Sequence, residues 1–157
     1  MHREMRRKDR QTTTEEARTL LQKAEYGVLA TADKDGKPYG VPMSFALHDN
    51  TIYFHSAKSG HKLDNILAQP AVTFTVVGQT RPVVESSGYS TYFESAIAFG
   101  KAHIVTDEGE IRDALYTLTK KYFPDNMDFF ETAISDLTRL VVFAVDVEHI
   151  SGKAKKM

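Results

Sequence analysis

Apolar positions recur along this chain with two different periods, and the changes of period divide it into elements. Over residues 14–25, Ala17, Leu20, Leu21 and Ala24 share one face at helical spacing. Thr13 and Glu16 have the separation of a capping box, so a helix should begin at residue 14. Strand patterns follow in YGVLATAD (26–33) and PYGVPMSFAL (38–47). The DKDG between them ends in Asp35-Gly36, a hairpin signal. His48-Asp49-Asn50 turns the chain into TIYFHS (51–56). Leu63, Ile66 and Leu67 restore helical spacing and predict a helix over about 59–69 that buries all three, with Pro70 helping to stop it. AVTFTVV (71–77) is a further strand with Gly78 at its end.

Residues 79–90 are rich in turn formers and follow neither period. The segment 92–105 reads as one long strand. Asp107 and Glu110 form a second capping box, Ile111, Leu115, Leu118 and Tyr122 mark the helix behind it, and Pro124 closes that helix. A short helix is expected around 128–136, and RLVVFAVDVEHIS (139–151) is the last strand. About six strands with short connections in the first half argue for an antiparallel sheet, and such a sheet commonly closes or nearly closes into a barrel. The class is mainly β with peripheral helices. The alternation of a doubly wound nucleotide fold is absent, as are GxGxxG and the P-loop. No repeat or linker divides residues 1–157, so one domain is expected.

Composition narrows function more than fold. The chain has 157 residues, enough for a real core, and its net charge of −1 gives no global field toward nucleic acid or membrane. Arg3, Arg6, Arg7, Lys8 and Arg10 outnumber Glu4 and Asp9 in the first ten residues, and the chain ends GKAKKM. These basic segments, 1–12 and 152–157, are expected to be frayed and solvated. The lack of cysteine excludes disulfides, thiolate metal sites and a cysteine nucleophile. No apolar run is long enough to span a bilayer and the start is too charged for a secretory signal, so a cytoplasmic protein is expected. His55, His61, His103 and His149 share no metal-ligand spacing, and no GxSxG elbow is present.

The segment YFHSAKSGHKLDNI (53–66) is the most informative. It places His61 and Lys62 in the first turn of a helix, where the macrodipole makes basic residues unfavourable. A bound phosphate or similar anion reverses that sign, because free N–H groups and basic side chains then face one charge. Ser56 and Ser59 supply hydroxyls, and Asn65 lies four residues after His61 on the same face. The plain alternative is a Ser59 N-cap with solvated His61 and Lys62. In PYGVPMSFAL, Val41, Met43, Phe45 and Leu47 alternate toward a core, leaving Gly40, Pro42, Ser44 and Ala46 as a small-residue face. That face either admits a flat ligand against the backbone or belongs to an edge strand under a covering helix. In STYFESAIAFGKAHI, Phe93, Ser95, Ile97 and Phe99 oppose Tyr92, Glu94, Ala96, Ala98 and Gly100, which suits a subunit contact or an ordinary interior strand.

MRRKDRQ, EYGVLAT, GKPYGVPMSF, IYFHSAKSGHKLDNI, TYFESAIAFGKAHI and VEHISGKAKK follow one another in an order and spacing that resembles the 5-nitroimidazole-resistance (Nim-type) proteins. These belong to the pyridoxamine 5′-phosphate oxidase-like group of flavin-binding split barrels. The resemblance implies a six-stranded antiparallel split β-barrel and a homodimer with FMN at the subunit interface. Val41, Pro42, Met43 and Ser44 are then implied to run beside the flavin ring. His55, Ser56, Ala57, His61 and Lys62 would flank the cofactor, with Lys62 and its helix start on the phosphate. Tyr92, Glu94 and Ser95 would approach from the partner or close the pocket. His61 matches a histidine that lies near the reactive side of the cofactor in that family, which makes it the implied catalytic residue. GKPYGVPMSF lacks the arginine of the true oxidase, so pyridoxamine phosphate oxidation is not expected, and residues 79–91 permit no carry-over. The implied activity is reduction of a small acceptor such as a nitroaromatic, with a nicotinamide as a possible donor. A non-catalytic carrier or sensor of flavin or haem, and a deazaflavin in place of FMN, are the other readings.

Overall fold

The computed structural model describes residues 2–156. Helix α1 (Thr14–Lys23) begins where the Thr13 hydroxyl accepts the Glu16 N–H at 3.1 Å and Glu16 accepts the Thr13 N–H at 3.3 Å. The capping box is therefore closed on both sides. Ala17 and Leu21 are buried, and Leu20 and Ala24 pack beside them against the same core.

Seven strands follow: β1 (Gly27–Ala32), β2 (Pro38–Met43), β3 (Ala46–His48), β4 (Thr51–Ser56), β5 (Ala71–Glu85), β6 (Gly88–Ile104) and β7 (Val141–Lys155). They form one antiparallel sheet in the order β2-β1-β5-β6-β7-β4-β3. β2 and β3 are its edges, so the sheet is not closed and has one strand more than the six expected. The extra strand arises inside PYGVPMSFAL. Phe45 and Ala46 are both buried, and consecutive residues of one straight strand cannot share a face. The chain breaks there, and the Phe45 backbone leaves the ladder. Its N–H donates to the Tyr122 hydroxyl at 3.0 Å, and its carbonyl accepts from Lys121 Nζ at 3.0 Å. Ala46 is consequently buried, contrary to its expected place on the small outward face.

The segment over 79–90 also differs from expectation. β5 continues through a bulge between Val77 and Thr80, turns at Ser86-Ser87 and returns as β6. The turn formers sit on the outer half of a two-stranded ribbon that extends past the core, which is why Val84 and Tyr89 are exposed there.

The interior holds Phe45, Phe54, Phe74 and Phe143, with Phe54 stacked on Phe143 at 4.8 Å and Phe45 edge-on to Phe74 at 4.6 Å. A second apolar cluster lies behind β7, where Val142 and Ala144 meet Val105, Ala114, Leu115 and Phe130. β7 is thus covered on both faces, and its run VVFAV is continuous rather than alternating. Ala114 and Leu115 come from α3 (Glu108–Tyr122), whose Asp107 cap accepts the Glu110 N–H at 2.9 Å. The Glu110 carboxylate turns instead to the Tyr53 hydroxyl, 3.1 Å away. The short helix expected near 128–136 is a four-residue helix α4 (Phe130–Ala133) between two 3₁₀ turns, Pro124–Phe129 and Leu137–Arg139.

Among the described residues, the basic terminal segments are held to the sheet rather than frayed. β7 runs to Lys155, with Gly152 and Ala154 buried. Gln11 bridges Lys153, and the Thr12 N–H donates to the Gly152 carbonyl at 3.0 Å. A Cβ on residue 152 would overlap the Thr12 hydroxyl and crowd Ala17, so only glycine lets the N-terminal arm cross here. No helix of the described residues is long and apolar enough to cross a membrane.

Candidate functional site

β4 delivers His55 and Ser56 to the mouth of an exposed loop over 57–60. The Ser56 hydroxyl donates to the Ala57 carbonyl at 2.9 Å. Gly60 then takes φ 153 and ψ 173, a conformation that glycine adopts without strain, and the space where a side chain would sit is open. Helix α2 (His61–Ala68) starts immediately, and no side chain caps it. Ser59 is therefore not its N-cap. The first-turn N–H groups of such a helix have no intrahelical acceptor and carry partial positive charge. Lys62 adds a full charge; it is half-buried and has no ion-pair partner among the described residues.

His61 is exposed and lies against the ring of Tyr39, with centroids 3.9 Å apart and planes 26° from parallel. This contact joins the start of α2 to β2. Asp33, in the β1–β2 turn, is a carboxylate that feels the charge of His61. Asp33 accepts the Lys37 and Asp35 N–H groups at 2.9 Å each, and these bonds, with a smaller share from Lys37 and His61 charge, hold its carboxyl below the usual range.

The rest of α2 is anchorage. Leu63 and Ile66 enter the core as expected, but Leu67 is 71% exposed. The third buried position belongs to Asn65, whose amide donates to the Thr31 hydroxyl at 3.0 Å, while that hydroxyl reaches the Tyr39 carbonyl at 3.5 Å. Asn65 thus ties the helix to β1 and does not join the anion-facing group. Helical spacing puts His61 and Asn65 only about 40° apart, and the edge of the buried arc falls between them.

On β2, Val41 and Met43 pack inward on the core, while Gly40, Pro42 and Ser44 are exposed. Pro42 stands opposite Val28 of β1, and the other side of β2 has no strand partner. A flat molecule lying here would meet small side chains and free backbone groups of an edge strand. The side chains of Val41 and Met43 would support it from beneath.

Tyr92, Glu94 and Ser95 do not act together in one chain. Tyr92 and Glu94 line a cavity of about 290 Å³ with Arg81, Lys155 and Lys156. Glu94 fills the space left by the missing side chain of Gly78 and accepts the Gln79 N–H at 3.3 Å. Ser95 faces the opposite side of the sheet, under the N-terminal arm. Tyr39, Thr31 and Asp33 are parts of the site that sequence reasoning missed. Tyr39 lies inside the PYGVPMSF segment, but no sequence signal says that its ring meets a histidine from another element.

Residues 13–154 match the family model described as pyridoxamine 5'-phosphate oxidase. No curated protein matches the chain. Among solved structures, a candidate 5-nitroimidazole antibiotic resistance protein from Bacteroides thetaiotaomicron is 27% identical, with 90% of this chain and 83% of that chain covered at a TM-score of 0.78. A flavocytochrome from Azotobacter vinelandii shares the fold at 16% identity, with coverage of 98% and 73% and a TM-score of 0.82. A protein from Mycobacterium smegmatis that binds FAD and heme is 21% identical, with coverage of 94% and 74% and a TM-score of 0.78.

Proposed function

Because the chain belongs to the pyridoxamine 5'-phosphate oxidase family, we propose that it is an FMN-dependent oxidoreductase of the nitroimidazole-resistance type, built on a split-barrel fold and active as a homodimer. The observation that carries this reading is the uncapped start of α2 beside Lys62 and the open space at Gly60. The residues fit the group on a second count, the small exposed face of Gly40, Pro42 and Ser44 on an edge strand. The phosphate would rest on the α2 start and Lys62, and the ring on β2, with His55, Ser56 and Ala57 at its flank. When bound, the flavin supplies hydride and electron transfer from a nicotinamide-type donor to a small acceptor such as a nitroaromatic. His61, held against Tyr39, is placed to hold a proton or a polar contact beside the acceptor. The half-open character of this face supports a second copy of the chain as its cover, and likeness to the Bacteroides protein supports the acceptor class.

The test is an absorption spectrum with mass spectrometry of the released ligand, followed by anaerobic reduction with NADH or NADPH and reoxidation with a 5-nitroimidazole. Flavin that never bleaches with either donor removes the enzyme. A Soret band in place of flavin bands would establish the second reading, a haem carrier, which the exposure of both His55 and His61 favours, since neutral imidazoles ligate haem iron. His61→Ala should keep the fold and the flavin while changing turnover; wild-type kinetics would return His61 to a shaping role.

A further inference from the structure

Thr31 and Asn65 are the two polar side chains buried among the described residues. Apolar side chains could fill both places with no hydrogen bond to satisfy. The Asn65 amide donates to the Thr31 hydroxyl at 3.0 Å, and that hydroxyl donates to the Tyr39 carbonyl at 3.5 Å. Tyr39 stands directly opposite Thr31 in the β1–β2 ladder. Its ring meets α2 a second time, one turn earlier, stacked on the His61 imidazole with centroids 3.9 Å apart. One residue of β2 is therefore tied to both ends of a single helical turn, by its carbonyl and by its ring. A satisfied buried hydrogen bond selects one rotation of the helix on the sheet, which apolar packing alone does not. The strand side is fixed as well, because Asp33 accepts the Asp35 and Lys37 N–H groups at 2.9 Å each and so holds the turn that leads into Tyr39. The His61 imidazole is exposed, and the stack on Tyr39 is its one ring contact among the described residues.

We propose that Tyr39 is the positioning residue of His61, a role that rests on the flavin reading above. Its ring covers one face of the imidazole and fixes the imidazole plane. His61 then meets a flat acceptor with a ring nitrogen on its edge and not with its face. Unstacked, an imidazole at the first position of a helix turns among three staggered χ1 wells and a broad two-fold χ2, about six orientations in all. The stack keeps one of them, which supplies in advance the orientation that a proton-holding group needs. The role belongs to the aromatic ring, so phenylalanine serves in its place and leucine does not.

The test compares the full chain with Tyr39→Leu and Tyr39→Phe by two readouts. Without FMN, the His61 ring protons of the wild type and of Tyr39→Phe should lie upfield in the NMR spectrum, under the ring current of residue 39. Tyr39→Leu should lose that shift while the other histidine signals stay in place. With FMN bound, turnover of a 5-nitroimidazole per bound flavin should fall about three- to sixfold in Tyr39→Leu with the acceptor KM unchanged, since about six orientations replace one. Tyr39→Phe should restore it. Wild-type kcat in Tyr39→Leu overturns the proposal and leaves the flavin reading standing. So does a Tyr39→Phe variant as slow as Tyr39→Leu, or an upfield His61 shift that the leucine variant keeps. A wild-type chain that holds no reducible flavin overturns both, and the shift read without FMN is then a packing contact alone.

Discussion

Lys121 offers the sharpest quantitative test of how β2 is held in place. Its ammonium donates to the Ala24 carbonyl at 2.7 Å and the Phe45 carbonyl at 3.0 Å, and it sits 3.7 Å from the centroid of the Phe45 ring. One side chain near the end of α3 thereby pins the end of α1 to the break between β2 and β3. Replacing Lys121 with Met keeps the apolar stem and removes the charge. The lost charge-assisted bonds are worth roughly 1.5–3 kcal/mol. Against this stands the burden of burying the ammonium, which pushes the Lys121 pKa down to about 8 from 10.5. For a half-buried group screened by solvent, that displacement offsets roughly 1 kcal/mol. The net loss at pH 7 is then about 0.5–2 kcal/mol, or a melting temperature lower by roughly 1–8 °C for a chain of this size. The pH dependence has a fixed sign. Between the folded value near 8 and the unfolded value of 10.5, the unfolded state holds more protons, so wild-type stability rises with pH through that window. Thermal melts of both proteins at pH 7 and pH 10 should show the gap widening. A Met variant that melts at or above wild type at pH 7 would refute the pinning role, and a gap that does not grow would mean that burial does not depress the Lys121 pKa.

Lys62→Ala should weaken FMN binding by about tenfold or more in a fluorescence titration, the loss of one charge-assisted phosphate contact; unchanged affinity would remove Lys62 from the phosphate site. Asn65→Leu should destabilise by about 1–3 kcal/mol in urea, because it strands the buried Thr31 hydroxyl. Adding Thr31→Val should restore part of that loss, and a double variant worse than the sum would contradict the pairing. Gly152→Val should lift the N-terminal arm, read as new protease cleavage between residues 3 and 12; an uncut arm would mean that the crossing at Gly152 tolerates a side chain.

The elements that the sequence made legible are those whose determinants are local. Thr13 and Glu16 settle the start of α1 between themselves, and both of their bonds form. The uninterrupted VVFAV run marked a strand because it is covered twice, by the main core and by α3 and α4. The misreadings share a different origin. PYGVPMSFAL looks like one strand because nothing within it signals the break; the groups that receive the Phe45 backbone, Lys121 and Tyr122, arrive some 76 and 77 residues later. Leu67 and Asn65 exchanged places because periodicity locates a buried stripe but not its two margins, and a hydroxyl on β1 was waiting for the amide. Residues 79–90 looked like a loop because a ribbon with no core beneath it needs no apolar alternation; only its pairing with β6 makes it a strand.

The same division runs through the site. The α2 start could be read from the sequence because its oddity is local: two basic residues at the positive end of a dipole, and a glycine where a capping side chain is preferred. Each choice is unfavourable by only a few tenths of a kcal/mol. Asp64 places one acid in the first turn, but within the described residues no side chain caps the helix start and no carboxylate pairs with Lys62. Asp33 is close enough to feel His61, yet its Oδ1 is already spent on two backbone N–H groups of its own turn. An anionic group from outside the chain, as proposed above, would meet Lys62 and the free N–H groups at this helix start. On the proposed reading, the exposed small face of β2, tied to the same helix by the Tyr39–His61 stack, calls for a ligand whose other end is flat and wide enough to reach from the helix to the edge strand.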